Sequence, residues 1–263
     1  MTRKHLGSAW AIFLFCCGPI FALGQAPSKH TLSLLAGGHQ VKLLDLHASP
    51  IIHKGPGPGF QVRYVHEGEK RSWDFDLGYG KLRFQPSQEA LRFRKPSFSG
   101  DFVQLQATNL YTLSDTERWT WQVGGMIRQM LMMDFDGVGN FPWIFAAGGM
   151  YAKGKVHYRL NETHAFSGTL ALPLASWITD MPYEHIPRIE GQAPGVNSAL
   201  REGTRLTSWN SFQQVLAELD YHYSLSDNWS FQAQYQWNWM HEAQPSDLWA
   251  YRHGLLLGFN YHW

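Results

Sequence analysis

Three groups of residues in this sequence have types and spacings that could do chemistry. The first is charged and spaced by two: Asp74 with Asp76, Lys153 with Lys155, and Glu218 with Asp220. In a strand, residues two apart share a face, so each pair would point from one wall in one direction. Arg63, Arg128, Arg159 and Arg252 occupy comparable positions in other segments. Acids and bases collected on one inner surface either interlock as a buried ion-pair network or line a path for a small polar solute. The second group is His185 with Asp180 or Glu184, and Ser208 or Ser211 further on. These are the parts of a base, an orienting carboxylate and a nucleophile, but they match no motif, so no catalytic residue is assigned. The same stretch, 179–208, holds Tyr183, Arg188, Glu190, Arg201, Glu202 and Arg205, a surface suited to an extracellular ligand or envelope partner. The third group is Asp134, Asp136 and Asn140, whose oxygens are spaced as in a calcium loop. The distal bidentate Glu is missing, and the segment reads as a turn-rich loop tip. No metal site and no cofactor is expected.

The elements that would position these groups are strands. From Trp229 to Met240, Trp229, Phe231, Ala233, Tyr235, Trp237 and Trp239 alternate with Ser230, Gln232, Gln234, Gln236 and Asn238. This gives one aromatic face and one amide face. Near the end of the chain, Trp249, Tyr251, His253, Leu255, Leu257, Phe259, Tyr261 and Trp263 stand opposite Arg252, Gly254, Gly258, Asn260 and His262. Similar alternation runs through Val215–Ser224, Phe166–Leu172, Met150–Arg159, Trp119–Arg128, Val103–Thr108, Trp73–Gly80, Phe60–Tyr64 and, most weakly, Thr31–Gly37. The composition fits a sheet with lipid on one face and water on the other: 12 Trp, 11 Tyr and 16 Phe stand beside 25 Gly and many polar residues.

The connections alternate in length. Short turns are predicted near Glu67, Ser114, Asn161 and Ser226. Longer loops are predicted at 39–58, 84–99, 132–143 and 178–209, with a shorter one at 242–247. The Pro/Gly-rich run Lys54–Gly59 reads as part of an exposed loop entering a strand. Short periplasmic turns and long outer loops are the pattern of a closed, antiparallel, up-and-down transmembrane β-barrel. The count is about ten strands, with eight to twelve as the range. Closure is required because an open sheet edge in lipid would leave backbone groups unpaired.

The last strand carries a motif. Arg252-His253-Gly254-Leu255-Leu256-Leu257-Gly258-Phe259 resembles the assembly signal of bacterial outer-membrane β-barrels, with Gly254, Leu257, Phe259, Tyr261 and the terminal aromatic Trp263 as its elements. The resemblance implies an outer-membrane location, contact with the lipid bilayer, and recognition by the barrel assembly machinery during biogenesis. Some members of that family are enzymes. His222-Tyr223-Ser224 resembles the His-x-Ser of lipid A deacylases, but it lies beside the Ser226 turn and reads as a strand end.

Residues 1–24 read as a secretory signal: Arg3 and Lys4 precede an apolar run to Leu23, with a small-residue cleavage site before Gln25. The barrel domain is then 25–263. Cys16 and Cys17 are the only cysteines, so the exported domain has no disulfide and no thiolate chemistry. A net charge of +1 gives no basic excess for nucleic acid. The expected function is that of a narrow or plugged barrel in a structural, binding or small-solute passage role. A barrel hydrolase with its site at the outer rim, and a subunit of a larger envelope complex, remain as alternatives.

Overall fold

The computed structural model describes residues 29–45, 49–86, 98–134, 143–180, 204–243 and 247–263. They form strands β1 (Lys29–Asp45), β2 (Ser49–Glu67), β3 (Arg71–Pro86), β4 (Phe98–Asp115), β5 (Trp119–Asp134), β6 (Trp143–Arg159), β7 (His164–Asp180), β8 (Thr204–Thr207), β9 (Phe212–Ser224), β10 (Trp229–Glu242) and β11 (Leu248–His262). All pairings are antiparallel. β8 and β9 both lie along β7, at Ser176–Thr179 and at His164–Ala171 respectively. They are two pieces of one barrel strand, separated by a turn in which Ser211 N donates to Ser208 O at 3.0 Å. β1 pairs with β11 from Thr31↔His262 to Asp45↔Leu248 and closes the sheet as a ten-strand barrel. No helix among the described residues is long and apolar enough to cross a membrane.

Both described chain ends and four tight turns lie at one end of the barrel. Gly68 N donates to Arg71 O at 2.8 Å, Thr116 N to Trp119 O at 2.9 Å, and Leu225 N to Trp229 O at 2.9 Å. At the fourth turn the Asn161 side-chain oxygen accepts from the backbone N–H groups of Thr163 and His164, the local bond that makes Asn a turn former. Short turns mark this as the periplasmic end.

Alternation decides which side chains face out. Leu34, Leu105, Trp121, Leu170, Leu219, Leu255 and Phe259 are each about half exposed or more and form a band around the outside. A closed ring of such groups would be untenable in water and is the surface that lipid requires. Aromatic girdles flank the band. At the periplasmic end His30 stacks on Trp263 at 5.4 Å, and Trp119 meets Tyr158 at 4.4 Å between ring centroids. At the outer end Trp239 lies 5.9 Å from Trp249.

The predicted loop at 39–58 is corrected. β1 continues to Asp45 and β2 begins at Ser49, so Lys54–Gly59 lies inside a strand. On the β1 side its register is continuous, from Val41↔Gly55 to Gly37↔Gly59. On the β3 side it passes from Lys54↔Gln85 to Gly59↔Gly80 with residues 55–58 unbridged. Pro56 and Pro58 share one parity, so the same edge of β2 loses two N–H donors, and that edge faces β3. Proline is tolerated because the other edge carries the ladder.

Candidate functional site in the lumen

Inside the barrel the side chains fall into two layers. The middle layer is polar. Arg63 grips Asp74 with two bonds, one of them from Nε at 2.9 Å. Lys153 Nζ approaches the same carboxylate at 4.0 Å from β6, three strands away. Gln61 donates to Asp76 and accepts from Gln236 Nε2 of β10 at 2.8 Å. Gln104 on β4 bridges two guanidinium groups: its Oε1 accepts from Arg128 at 2.7 Å and from Arg252, on the opposite wall, at 2.9 Å. Asp220 accepts from Gln232 at 2.9 Å and from Ser167 at 3.1 Å. Arg63, Asp74, Asp76, Arg128, Lys153, Asp220 and Arg252 are all buried, so each charge depends on these partners rather than on water.

The layer nearer the outer end is mostly apolar, with a buried carboxylate, Glu242, paired to Arg205 at its upper edge. Val41, Leu43, Phe102, Met130, Met132, Phe145, Ala147, Ile178, Phe212, Met240, Leu248 and Ala250 form one buried cluster. At its lower edge Arg252 lies 4.9 Å from the Phe102 ring centroid and joins the layers. Glycines give the large groups room. Phe102 lies against Gly80, its direct cross-strand partner, where an added Cβ would come within 2.0 Å of the ring. His39 lies likewise against Gly254 and Gly59.

Between Gln104, Arg128, Lys153, Glu218, Gln236 and Arg252 remains a cavity of about 20 Å³, room for one water. A barrel of this size can be filled by side chains, and here opposite walls bond directly to each other.

The structure brings Asp74, Asp76, Arg128, Lys153, Glu218, Asp220 and Arg252 together in the lumen, with Lys155 half-buried below Lys153 on β6. Arg159 is elsewhere. It is the last residue of β6, half exposed at the periplasmic rim, 3.9 Å from Asp115. Its parity is inward, but the strand ends where the wall opens to water. Gln61, Gln104, Gln214 and Gln236 were not among the candidate site residues although their inward parity marked them; Gln61 and Gln104 bond charged groups directly, and Gln236 holds Gln61. Gln214 on β9 accepts from the Tyr151 hydroxyl at 2.6 Å and donates to Asn238 at 3.0 Å. The apolar outer layer was also missed.

Of the hydrolytic candidates, Ser208 and Ser211 belong to the β8–β9 turn, where Ser211 Oγ donates to Ser208 O at 3.2 Å. Glu184, His185 and the Asp180 side chain lie outside the described residues, as do Asp136 and Asn140. His222 faces the lumen at the periplasmic end, 3.4 Å from Asn260 Nδ2. Ser224 is the last residue of β9 and donates its backbone N–H to Thr163 O.

No family model matches the chain, and no curated protein matches it in sequence. Among solved structures, the outer membrane protease OmpT from Escherichia coli superposes over 92% of this chain and 99% of its own, with a TM-score of 0.53 at 10% identity. That likeness is one of fold, and it agrees with the closed sheet, the lipid-facing band and the two aromatic girdles. The chain is an outer-membrane β-barrel. The translocator domain of the autotransporter NalP from Neisseria meningitidis also matches, over 97% of this chain and 95% of its own, with a TM-score of 0.42 and 10% identity. The outward-facing Leu257, Phe259 and Tyr261 of this outer-membrane barrel lie on its closing strand β11, with Trp263 just beyond its end and Gly254 turned inward against His39.

Proposed function

We propose that this outer-membrane barrel is plugged: it passes no solute in its resting form and serves a structural and binding role through its outer surface. The observation that carries the reading is the bridge across the bore at Gln104, held from β5 by Arg128 and from the opposite wall by Arg252. The apolar layer above it supports the same reading, since ions would have to shed water to cross it. Binding then falls to the outer connections; the predicted loop at 179–208 is shortened by β7 and β8 to residues 181–203, still the longest connection and rich in charge, while Arg205 lies on β8 and pairs with the buried Glu242. Residues 1–24 serve as an export signal, and Gly254 to Trp263 serve as the segment read by the assembly machinery. N-terminal sequencing of the exported protein should begin at Gln25.

The test is conductance in a planar bilayer, beside the gel mobility of heated and unheated protein. A heat-dependent shift without discrete current is expected. The double variant R128A/R252A, which removes both clamps from Gln104, should keep the shift, and current should appear only when the apolar layer is opened as well, by adding F102A and F145A. Discrete current through the unaltered barrel would overturn the reading in favour of solute passage.

A further inference from the structure

On the lipid side of β1, β2 and β3, towards the outer end, four exposed cations stand together: Lys42, Lys54, Lys81 and Arg83. Among the described side chains of the outer half, outward-facing Lys and Arg occur on these three strands alone. Lys42 and Lys54 are direct cross-strand partners. Side chains so placed have Cβ atoms about 4.5–5.5 Å apart, and like charges there repel. Lys54 is paired in turn with Gln85, which puts Arg83 on its diagonal at roughly 7–8 Å. Lys81 follows on the same face, opposite Asp101 of β4. Asp101 is the acid that faces this patch among the described residues, and it accepts from the Tyr79 hydroxyl at 2.7 Å. Lys42 is level with Tyr251, and Tyr251 with Trp239, so the patch lies at the outer aromatic girdle where lipid headgroups begin.

The same patch straddles the weak place in the wall. Residues 55–58 of β2 and 81–84 of β3 are unbridged, with Lys42 and Lys54 on one side of the gap and Lys81 and Arg83 on the other. An anion held by both sides would remove the Lys42–Lys54 repulsion. It would also supply, through charge-assisted bonds to Lys and Arg, a link the proline edge cannot make.

We propose that a phosphorylated lipid headgroup of the outer leaflet binds Lys42, Lys54, Lys81 and Arg83 and staples β2 to β3 across the unbridged segment. Free phosphate would share the chemistry but lacks the acyl chains that the lipid-facing side of this patch can hold. The site depends on the outside of the wall and is independent of whether the lumen conducts.

The experiment uses the exported barrel in phosphatidylcholine vesicles with and without a bis-phosphorylated glucosamine lipid. It reads the midpoint of the heat-dependent gel shift and the lipid retained after detergent extraction, by native mass spectrometry. The phosphorylated lipid should raise the midpoint and remain bound. K54Q/R83Q should lower retention about tenfold, equivalent to ~1.4 kcal/mol, and abolish the rise. In plain phosphatidylcholine the same variant should be at least as stable as the parent, because a repulsion has been removed. P56V/P58V, which restores the missing donors, should depend less on the lipid. An equal rise with the dephosphorylated lipid, with inorganic phosphate alone, or in K54Q/R83Q would overturn the proposal, as would no response from the parent barrel.

Discussion

Halfway along the bore, Arg63 and Lys153 meet at the Asp74 carboxylate and Arg128 and Arg252 meet at Gln104, while nearer the outside Val41, Phe102, Met130, Phe145 and Ile178 form an apolar cluster. Both layers fill the same bore, and they fill it under different rules. The apolar layer gains from each group removed from water and tolerates some misfit. The polar layer gains little overall from its buried ions, but each partner becomes indispensable once the other is buried. A packed lumen can therefore be tight throughout and still be brittle in its middle.

The sharpest way to break this comparison is at Asp74, which neutralises Arg63 and Lys153 from inside the wall. Asp74→Ala should lower unfolding free energy by about 3–5 kcal/mol, because two buried cations lose their acid. Urea unfolding in vesicles would measure it. Phe145, fully buried in the apolar layer, supplies the matched test. Phe145→Ala should remove roughly 3 kcal/mol through lost burial and cavity formation, without admitting current. A smaller loss at Asp74 than at Phe145 would mean that water repairs the polar layer. Gly80→Val asks how tightly the layers are fitted, since its new Cβ would meet the Phe102 ring. A loss of about 1–3 kcal/mol is expected by the same measurement. The smallest effect belongs to Arg159→Ala. Its pair with Asp115 is solvent-exposed on both sides, so a change of under ~1 kcal/mol is expected.

Much of the wall was legible beforehand. Alternation in Trp229–Met240 and Trp249–Trp263 separated lipid-facing from lumen-facing residues, because in a strand the period is two whatever the neighbours are. The same rule placed Asp74, Asp76, Lys153 and Arg252 inside. It failed where chemistry on the two faces is alike. Met130-Leu131-Met132-Met133 is apolar on both sides, so no alternation separates the buried Met130 and Met132 from the lipid-facing surface. It also failed at Lys54–Gly59, where proline and glycine signal a loop although one edge of the strand is still paired. Arg159 shows a third limit, since parity reports direction but not depth.

The sequence by itself determined that this chain forms strands, that one face of them suits lipid, and that the sheet must close, since all three follow from local alternation and from the demand of backbone groups for partners in a membrane. Only the tertiary structure decided which charges meet. Gln104 and Arg252 lie on opposite walls, far apart in the chain, and are joined at 2.9 Å because closure of β1 on β11 fixes the register of every strand between them. The meeting of Lys42 with Lys54, and the gap beside them, were decided in the same way. Register is a property of paired strands, and no single strand contains it.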